Sequence, residues 1–509
     1  MKKQYVLGCD GGTGGMRVGV YDLFGHELSF ASTEYPTEFP HPGWAEQDPE
    51  DWWTALGSSI KRAMRQAGIS KEEVIALSYD CTCGSMLLAK EDGTPIGKSM
   101  IWMDVRAGEE AKEISRIPDP ALKFNGFGNV SAEWMPCKAL WLKRNRTEDY
   151  ENADVFCEYT DWITHQLTGK WTANMSSIAS RWYYDCNNGG YPVGFFEKIG
   201  ISDVLPKLPK EIHSIGDPLG TLTAEAAEFL GLDPDTIVGQ GGVDASVGMF
   251  GLGVVKPGQF AMVTGSSHLI LGLTDRYVYG KGYFGPYPDA IRKGYGLLEG
   301  GQASSGSIIN WFKKTLCRDL ELEGKNAYEV LNREASGVPI GSDGLMVLDW
   351  WQGNRNPYTD PEIRGNIYGL SLGHTQGHIF RAIMEGVAFG TENLLQAFRK
   401  EDFKVTELNM SGGTTNSELW MQIHADVSNI PVNVPENVQA PALGSAILAA
   451  MAAGIYSPDE AAEKMVRYRR TIEPDREAHE KYKELFGQYA AAYPIMSDWM
   501  HKTTGLAKK

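Results

Sequence analysis

Near its start the chain reads QYVLGCDGGTGGMRVGVYD (residues 4–22), and this stretch constrains the fold more than any other. An apolar run, Tyr5 to Cys9, enters a cluster in which four of the five residues after Asp10 are glycine. A second, partly alternating run, Met16 to Tyr21, leaves it, so the pattern predicts strand, turn, strand. Asp22-Leu23-Phe24-Gly25 has turn chemistry, and a third strand is expected from Glu27 to Ala31. The dinucleotide fingerprint needs a helix after its glycines and a G-x-G-x-x-G spacing, and neither is present. The phosphate loop is absent too, because Asp92 stands where the first glycine before Gly97-Lys98-Ser99 should be. Two readings of the turn remain. It is either a mobile hairpin tip or a place where bare backbone N–H groups close on phosphate oxygens.

The same grammar returns half a chain later in QFAMVTGSSHLILGLTD (residues 259–275). There an apolar strand runs into Thr264-Gly265-Ser266-Ser267 and a second one leads out to a turn aspartate. Two hydroxyl-and-glycine hairpins suggest an internal duplication with a ligand held between the copies, which favours the phosphate reading. A chain of 509 residues also exceeds what one core supports, so at least two domains are expected.

Charge and cysteine usage narrow the class. A formal net charge of −17 argues against nucleic acid or an anionic membrane as partner. Seven scattered cysteines, with no C-x-x-C, point away from a disulfide scaffold and toward a reducing, cytoplasmic setting. The longest apolar run, residues 446–456, is too short to span a membrane, and Asp10 with its glycines interrupts anything resembling a signal peptide.

Other motifs carry chemistry. In residues 237–249 an apolar strand ends in Gly241-Gly242, followed by Asp244 and small residues suited to a packed helix. Asp244 reads either as a helix N-cap or as a general base or metal-bound group facing a cleft. LNMSGGTTN (residues 408–416) is a strand ending in glycines, and residues 417–427 have helical periodicity. Gly412-Gly413 is either an ordinary strand-to-helix turn or a flat seat for adenine and ribose. Residues 430–434 form a short strand, and a small-residue helix begins near Ala442. In PGWAEQDPEDWW (residues 42–53), Asp48 caps a helix, Pro49 takes its first position and Asp51 closes a box-like cap. Trp102, Asp104 and Arg106, with SAEWM (residues 131–135), suit a polyol as well as they suit a core tryptophan beside an ion pair. His374 and His378 lack the glutamate of H-E-x-x-H and have a glycine between them, so a zinc site is rejected. No G-x-S-x-G elbow supports acyl hydrolysis.

Taken in order, GCDGGTGGMR (8–17), PGWAEQDPEDWW (42–53), IWMDVR (101–106), GQGGVDAS (239–246), TGSS (264–267), EGGQ (299–302) and SGGTTN (411–416) resemble the FGGY family of carbohydrate kinases. The resemblance runs from about residue 5 to residue 490 and implies an α/β protein of two ribonuclease-H-like (actin-like ATPase) domains with a cleft between them. It places a sugar-binding domain carrying the catalytic base at residues 1–253 and an ATP-binding domain at residues 254–509.

Carried over by position, Asp244 matches the catalytic base, and Asp10 together with Asp244 would place Mg²⁺. Gly11, Gly12 and Thr13 belong to the first phosphate hairpin, Thr264, Gly265 and Ser266 to the second, and Gly412, Gly413 and Asn416 to the adenosine motif. Asp80, Trp102, Asp104, Arg106, Glu133, Arg181, Asp244, Glu299 and Gln302 are the expected sugar contacts. Glu133 with Lys138, the Asp80-x-Thr82 element and residues 299–302 look most like ribulokinases, whereas Trp102-x-Asp104-x-Arg106 looks like xylulokinases and glycerol kinases. Arg181 stands where ribulokinases carry a sugar-binding lysine, and a planar fork does not read hydroxyls as a point charge does. The expectation is an ATP- and Mg²⁺-dependent kinase of a small ketopentose or polyol, ribulose favoured, with a xylulose, tetritol or glycerol-type kinase as alternative. An ATP-hydrolysing switch on the same fold is the rival from another class. A homodimer is compatible with all of these.

Overall fold

The computed structural model describes residues 4–507. Strand Tyr5–Gly12 lies at the centre of the first sheet and is buried along its whole length, as its unbroken apolar and glycine run requires. It pairs antiparallel with Gly15–Asp22 and parallel with Val74–Cys81. Glu27–Glu34 extends the sheet on one side and Ile237–Gly239 on the other, and Pro218–Thr221 closes an antiparallel edge. In the second sheet Gln259–Thr264 takes the same central place, antiparallel to His268–Thr274 and parallel to Glu407–Gly412. Gly296–Gln302 and Val432–Pro435 extend it, again with an antiparallel edge strand, Tyr468–Ile472, beyond the fifth position. Both sheets therefore share one order, third-second-first-fourth-fifth, each beginning with a hairpin.

The two sheets differ in what is inserted. Beyond Val74–Cys81 the chain builds a second layer before returning at Pro218–Thr221. Its four-stranded sheet is made of Ser99–Met100, Met86–Ala89 and Val155–Glu158 with the earlier strand Glu46–Gln47 at its edge. This layer carries Trp102, Glu133 and Arg181. In the second half, helices Gly306–Leu316, Ala327–Ser336 and Gln376–Lys400 lie between the third and fourth strands of the order.

Helix Ala440–Ala452 joins the halves. It packs on helix Asp244–Gly251 and on strands Tyr5–Gly12 and Val74–Cys81 of the first sheet. Its small residues allow near-contact of backbones: a Cβ on Gly8 would lie 1.8 Å from the Ala442 carbonyl oxygen, and one on Gly444 2.1 Å from that of Val247. Helix Pro49–Ala67 starts as its sequence dictates, with Asp48 accepting from the Glu50 amide at 3.1 Å and Trp52 fully buried. The box-like closure by Asp51 does not form; its amide donates to the Asp48 carbonyl instead. Among the described residues no helix is long and apolar enough to cross a membrane.

Candidate active site

The first hairpin turns on Thr13-Gly14, because Gly12 already pairs with Gly15. Gly11 and Gly12 are buried in the ladder rather than open at the tip. Their bareness is a packing requirement: a Cβ on Gly12 would meet Arg17 Nη1 at 2.6 Å, and one on Gly11 Tyr159 Oη at 3.0 Å. Gly14 has nothing within 4 Å and is the open backbone of the turn. Thr13 is held on two sides. Gln47 Nε2 donates to its carbonyl at 2.7 Å, and Trp102 Nε1 donates to its hydroxyl at 2.9 Å.

Asp10 lies opposite Arg17 in the hairpin and opposite Asp80 in the parallel ladder. Arg17 Nη1 donates to Asp10 Oδ2 at 2.8 Å. Gly242 pairs with Asp80 as well, which brings Asp244 to the same end of the sheet. Asp244 is the first residue of helix Asp244–Gly251 and Val243 is its cap, so the N-cap alternative falls. Burial pushes the Asp244 carboxyl up to about 6. The Ala245 amide, at 2.7 Å from Oδ1, restrains that rise, Asp10 adds to it, and Arg181 and Arg17 restrain it further.

Beside Asp244 opens a cavity of about 200 Å³ lined by both halves. Trp102, Glu133, Arg181 and Asp244 face it from the first, and Glu299 from the second, as expected from sequence. Cys83, Ser180 and Arg355 line it too, without having been singled out as contacts. Arg181 Nη1 reaches Glu299 Oε2 at 3.4 Å across the cavity, and Arg355 Nη2 holds Glu299 Oε1 at 2.8 Å. Burial pushes the Glu299 carboxyl up, but the two guanidiniums outweigh it, and the group ends below the usual carboxylate range.

Four expected sugar contacts do not reach this cavity. Asp80 is fully buried, with Ser445 of the joining helix donating to its Oδ2 at 2.8 Å. Burial, then the charges of Asp10 and Asp244, drive its carboxyl well above the usual range, against the pull of Ser445. Asp104 and Arg106 form a buried fork that also binds Glu46, with the guanidinium 3.6 Å from the centre of the Trp44 ring. They brace the loop that presents Trp102, with Asp104 Oδ2 accepting from the Ala45 amide at 2.7 Å. Gln302 is occupied by Asp349, the Val387 carbonyl and Thr391. All four side chains are bound into the protein rather than turned to the cavity, although Asp80 Oδ1 and Arg106 Nη1 are buried without a hydrogen-bond partner. Lys138 is likewise a brace. Buried, and pulled down to about 8 by desolvation, it donates to the Gly84, Met100 and Ile101 carbonyls. Glu158 holds the Gly84 amide from the other side at 3.0 Å.

The second hairpin borders a larger cavity of about 810 Å³. Gly265, Ser266, Gly413 and Asn416 line it, as the sequence led one to expect. Thr264 does not, because its hydroxyl donates to the Ser411 carbonyl at 2.6 Å and accepts from the Thr414 amide at 3.2 Å. Gly412 takes φ 93°, and a Cβ there would stand 1.8 Å from the Thr264 carbonyl oxygen. Thr264 and Gly412 thus fix the loop whose next residue, Gly413, faces the cavity. Its other walls include Tyr328, Phe380, Met384 and Trp420, with Glu329, Arg333 and Glu418 among the charged residues. Helical residues of this kind carry no local motif, so sequence reasoning had no handle on them. Apolar and aromatic walls beside open glycine backbone can hold a flat base at one end and phosphates at the other.

Asp10 and Asp244 suit magnesium, which keeps several waters and is held by one or two carboxylates plus substrate phosphates. Among the described residues no group of three or more His, Cys, Asp or Glu side chains forms an all-protein metal cage.

Two like-ordered sheets, each opening with a hairpin at a shared cleft, define an actin-like ATPase architecture with a small cavity beside Asp244. Comparison with known proteins then gives the family. Models described as "FGGY family of carbohydrate kinases", N-terminal and C-terminal domain, match residues 5–251 and 260–453. The chain belongs to the FGGY family of carbohydrate kinases. A ribulokinase of Shouchella clausii is 34% identical, over 96% of this chain and 94% of its own length. A xylulose kinase of Staphylococcus epidermidis is 27% identical over 97% of each chain. Among solved structures, a xylulose kinase from Rhodospirillum rubrum superposes with TM-score 0.87 at 26% identity, covering 98% of this chain and 100% of that one.

Proposed function

We propose that this chain transfers the γ-phosphoryl group of ATP to a hydroxyl of a ketopentose, ribulose before xylulose or a smaller polyol. The carrying observation is a cavity of about 200 Å³ that holds the half-buried Asp244 and is walled by charged side chains from both halves. A protein that only hydrolyses ATP has no use for such a chamber. The preference for ribulose rests on the ribulokinase relative at 34% identity against the xylulose kinase at 27%. We place acceptor and base with residues 1–253, and ATP with residues 254–509. The free thiols of all seven cysteines support a reducing, cytoplasmic setting.

Phosphoryl transfer asks mainly for positioning and charge compensation. The Asp244 carboxylate takes the proton of the attacking hydroxyl. With its pKa drawn up to about 6, it is mostly ionised at neutral pH yet more basic than an ordinary aspartate. The backbone at Thr13-Gly14 and at Gly265-Ser266 holds the phosphates from the two sides of the cleft. Asp10 and Asp244 would hold Mg²⁺, which would supply neutralisation of the charge on the transferred group. Trp102 ties the two ligands together, since it lines the acceptor cavity while its indole N–H holds the Thr13 hydroxyl.

The test is ADP release from purified protein over ribulose, xylulose, pentitols, tetritols and glycerol. Release that rises only with a ketopentose is expected. Release indifferent to every acceptor would replace this reading with the ATP-hydrolysing switch.

A further inference from the structure

Arg355 belongs to none of the motifs that mark the chain as a kinase, yet it stands in the acceptor wall. Its loop is fixed rather than free. Neighbouring Asn356 is buried and accepts from the Gly301 amide at 3.0 Å, tying the loop to the strand that carries Glu299. Asn354 and Asp360 exchange backbone hydrogen bonds at 2.8 Å in both directions across the loop, and Tyr358 stacks on Tyr493 with ring centres 3.7 Å apart. From this support Arg355 takes one oxygen of Glu299, while Arg181, from the other half, faces the second.

The five ionisable groups lining the cavity that bear charge at neutral pH are Arg181 and Arg355 against Glu133, Asp244 and Glu299. With Glu299 between the two guanidiniums, each gives that carboxylate one hydrogen bond, and the wall carries one more negative charge than positive. Each Glu299 oxygen keeps a lone pair that a hydroxyl can donate to. A carboxylate or phosphate entering the same space would face three like charges.

We infer that Arg355 is a further specificity-determining residue: with Arg181 it clamps Glu299 into the acceptor wall, so that the cavity takes an uncharged polyhydroxy compound and excludes its carboxylate analogue. This rests on the kinase reading above and deepens it. Arg355 meets Glu299 through Nη2 alone, and a planar guanidinium on a fixed loop directs that donor more narrowly than a flexible lysine would. Glu299→Gln removes the central charge and leaves both guanidiniums facing the chamber, which becomes attractive to an anion.

The experiment measures kcat/KM for a ketopentose and for aldonates of five and six carbons, in the wild type and in Arg355→Gln, Arg355→Lys and Glu299→Gln, together with ATP affinity by calorimetry. In the wild type the ketopentose is used and the aldonates are not. Arg355→Gln lowers kcat/KM for the ketopentose by about tenfold or more, the scale of one lost charged hydrogen bond, while ATP affinity stays within about twofold. Arg355→Lys recovers part of that loss. Glu299→Gln raises the aldonate-to-ketopentose ratio by about tenfold or more. Wild-type protein that uses aldonates as readily as the neutral sugar overturns the inference without any variant. So does an unchanged ratio in a Glu299→Gln protein that still binds ATP. Absence of any acceptor-dependent turnover in the wild type sinks the kinase reading instead.

Discussion

The two hairpins occupy equivalent places in two sheets of the same strand order, yet their chemistry is not equivalent. The first carries Asp10 locked to Arg17, and its tip is pinned by Gln47 and Trp102. The second has no carboxylate; Thr264 is spent on the adjoining loop, and only Gly265 and Ser266 face the cavity. The cavities they border follow suit. One is small, with five charged side chains in its wall, and the other is about 810 Å³, with Tyr328, Phe380 and Trp420 beside Glu329, Arg333 and Glu418. A duplicated frame thus borders two unlike cavities, a small one beside Asp244 for the proposed transfer and a roomier, more aromatic one for the proposed nucleotide.

Substitutions can break this comparison. The largest effect is expected from Asp244→Asn, which should lower kcat by roughly 10²- to 10⁴-fold with ATP affinity retained. Single-turnover kinetics beside calorimetry reads both, and wild-type-like turnover would remove Asp244 as the base. Asp10→Asn should come next, cutting kcat and raising the Mg²⁺ concentration needed for half-maximal rate. Ser266→Ala on the second hairpin should alter only KM for ATP, by less than about tenfold. Equal responses of kcat in these two variants would abolish the division between hairpins.

Stability offers a third contrast. Gly412→Ala forces a side chain into a positive-φ position against the Thr264 carbonyl, and should cost about 1–3 kcal/mol or more. Gly14→Ala meets no neighbour and should stay within about 1 kcal/mol in urea denaturation while raising KM for ATP.

The smallest effect concerns pH. Burial raises the Glu158 carboxyl behind the acceptor cavity to about 7, against the pull of the Gly84 amide. The folded protein therefore holds this proton at a pH where the unfolded chain has released it. The Glu158 contribution to stability is present below the unfolded value, near 4.3, and is lost as pH rises toward 7. Urea midpoints for wild type and Glu158→Gln should differ in slope over that window and run parallel above it. Parallel curves throughout would show that Glu158 is ionised in the folded state.

Much of this was legible beforehand. The hairpins, the Asp48 cap, the helix starting beside Asp244 and the glycine-ended strand at Gly412 are local patterns, written in spacing and turn chemistry. Trp102, Glu133, Arg181, Asp244 and Glu299 were found because they sit in such motifs. Asp80, Asp104, Arg106 and Gln302 sit in motifs as well, and the structure turns all four inward as braces. A motif marks a residue as constrained without saying whether a ligand or a neighbouring backbone constrains it.

The sequence by itself determined the two hairpins, their repetition and the family, because strand periodicity and glycine turns are properties of neighbours in the chain. Only the tertiary structure decided that Gly11 and Gly12 make room for Tyr159 and Arg17, and that Ser445 closes on Asp80 from 365 residues away. It likewise joined Arg181 and Arg355 on one carboxylate, across separations of 118 and 56 residues. Such pairings depend on how the two sheets and the joining helix pack, and close packing over that distance leaves no trace in local spacing.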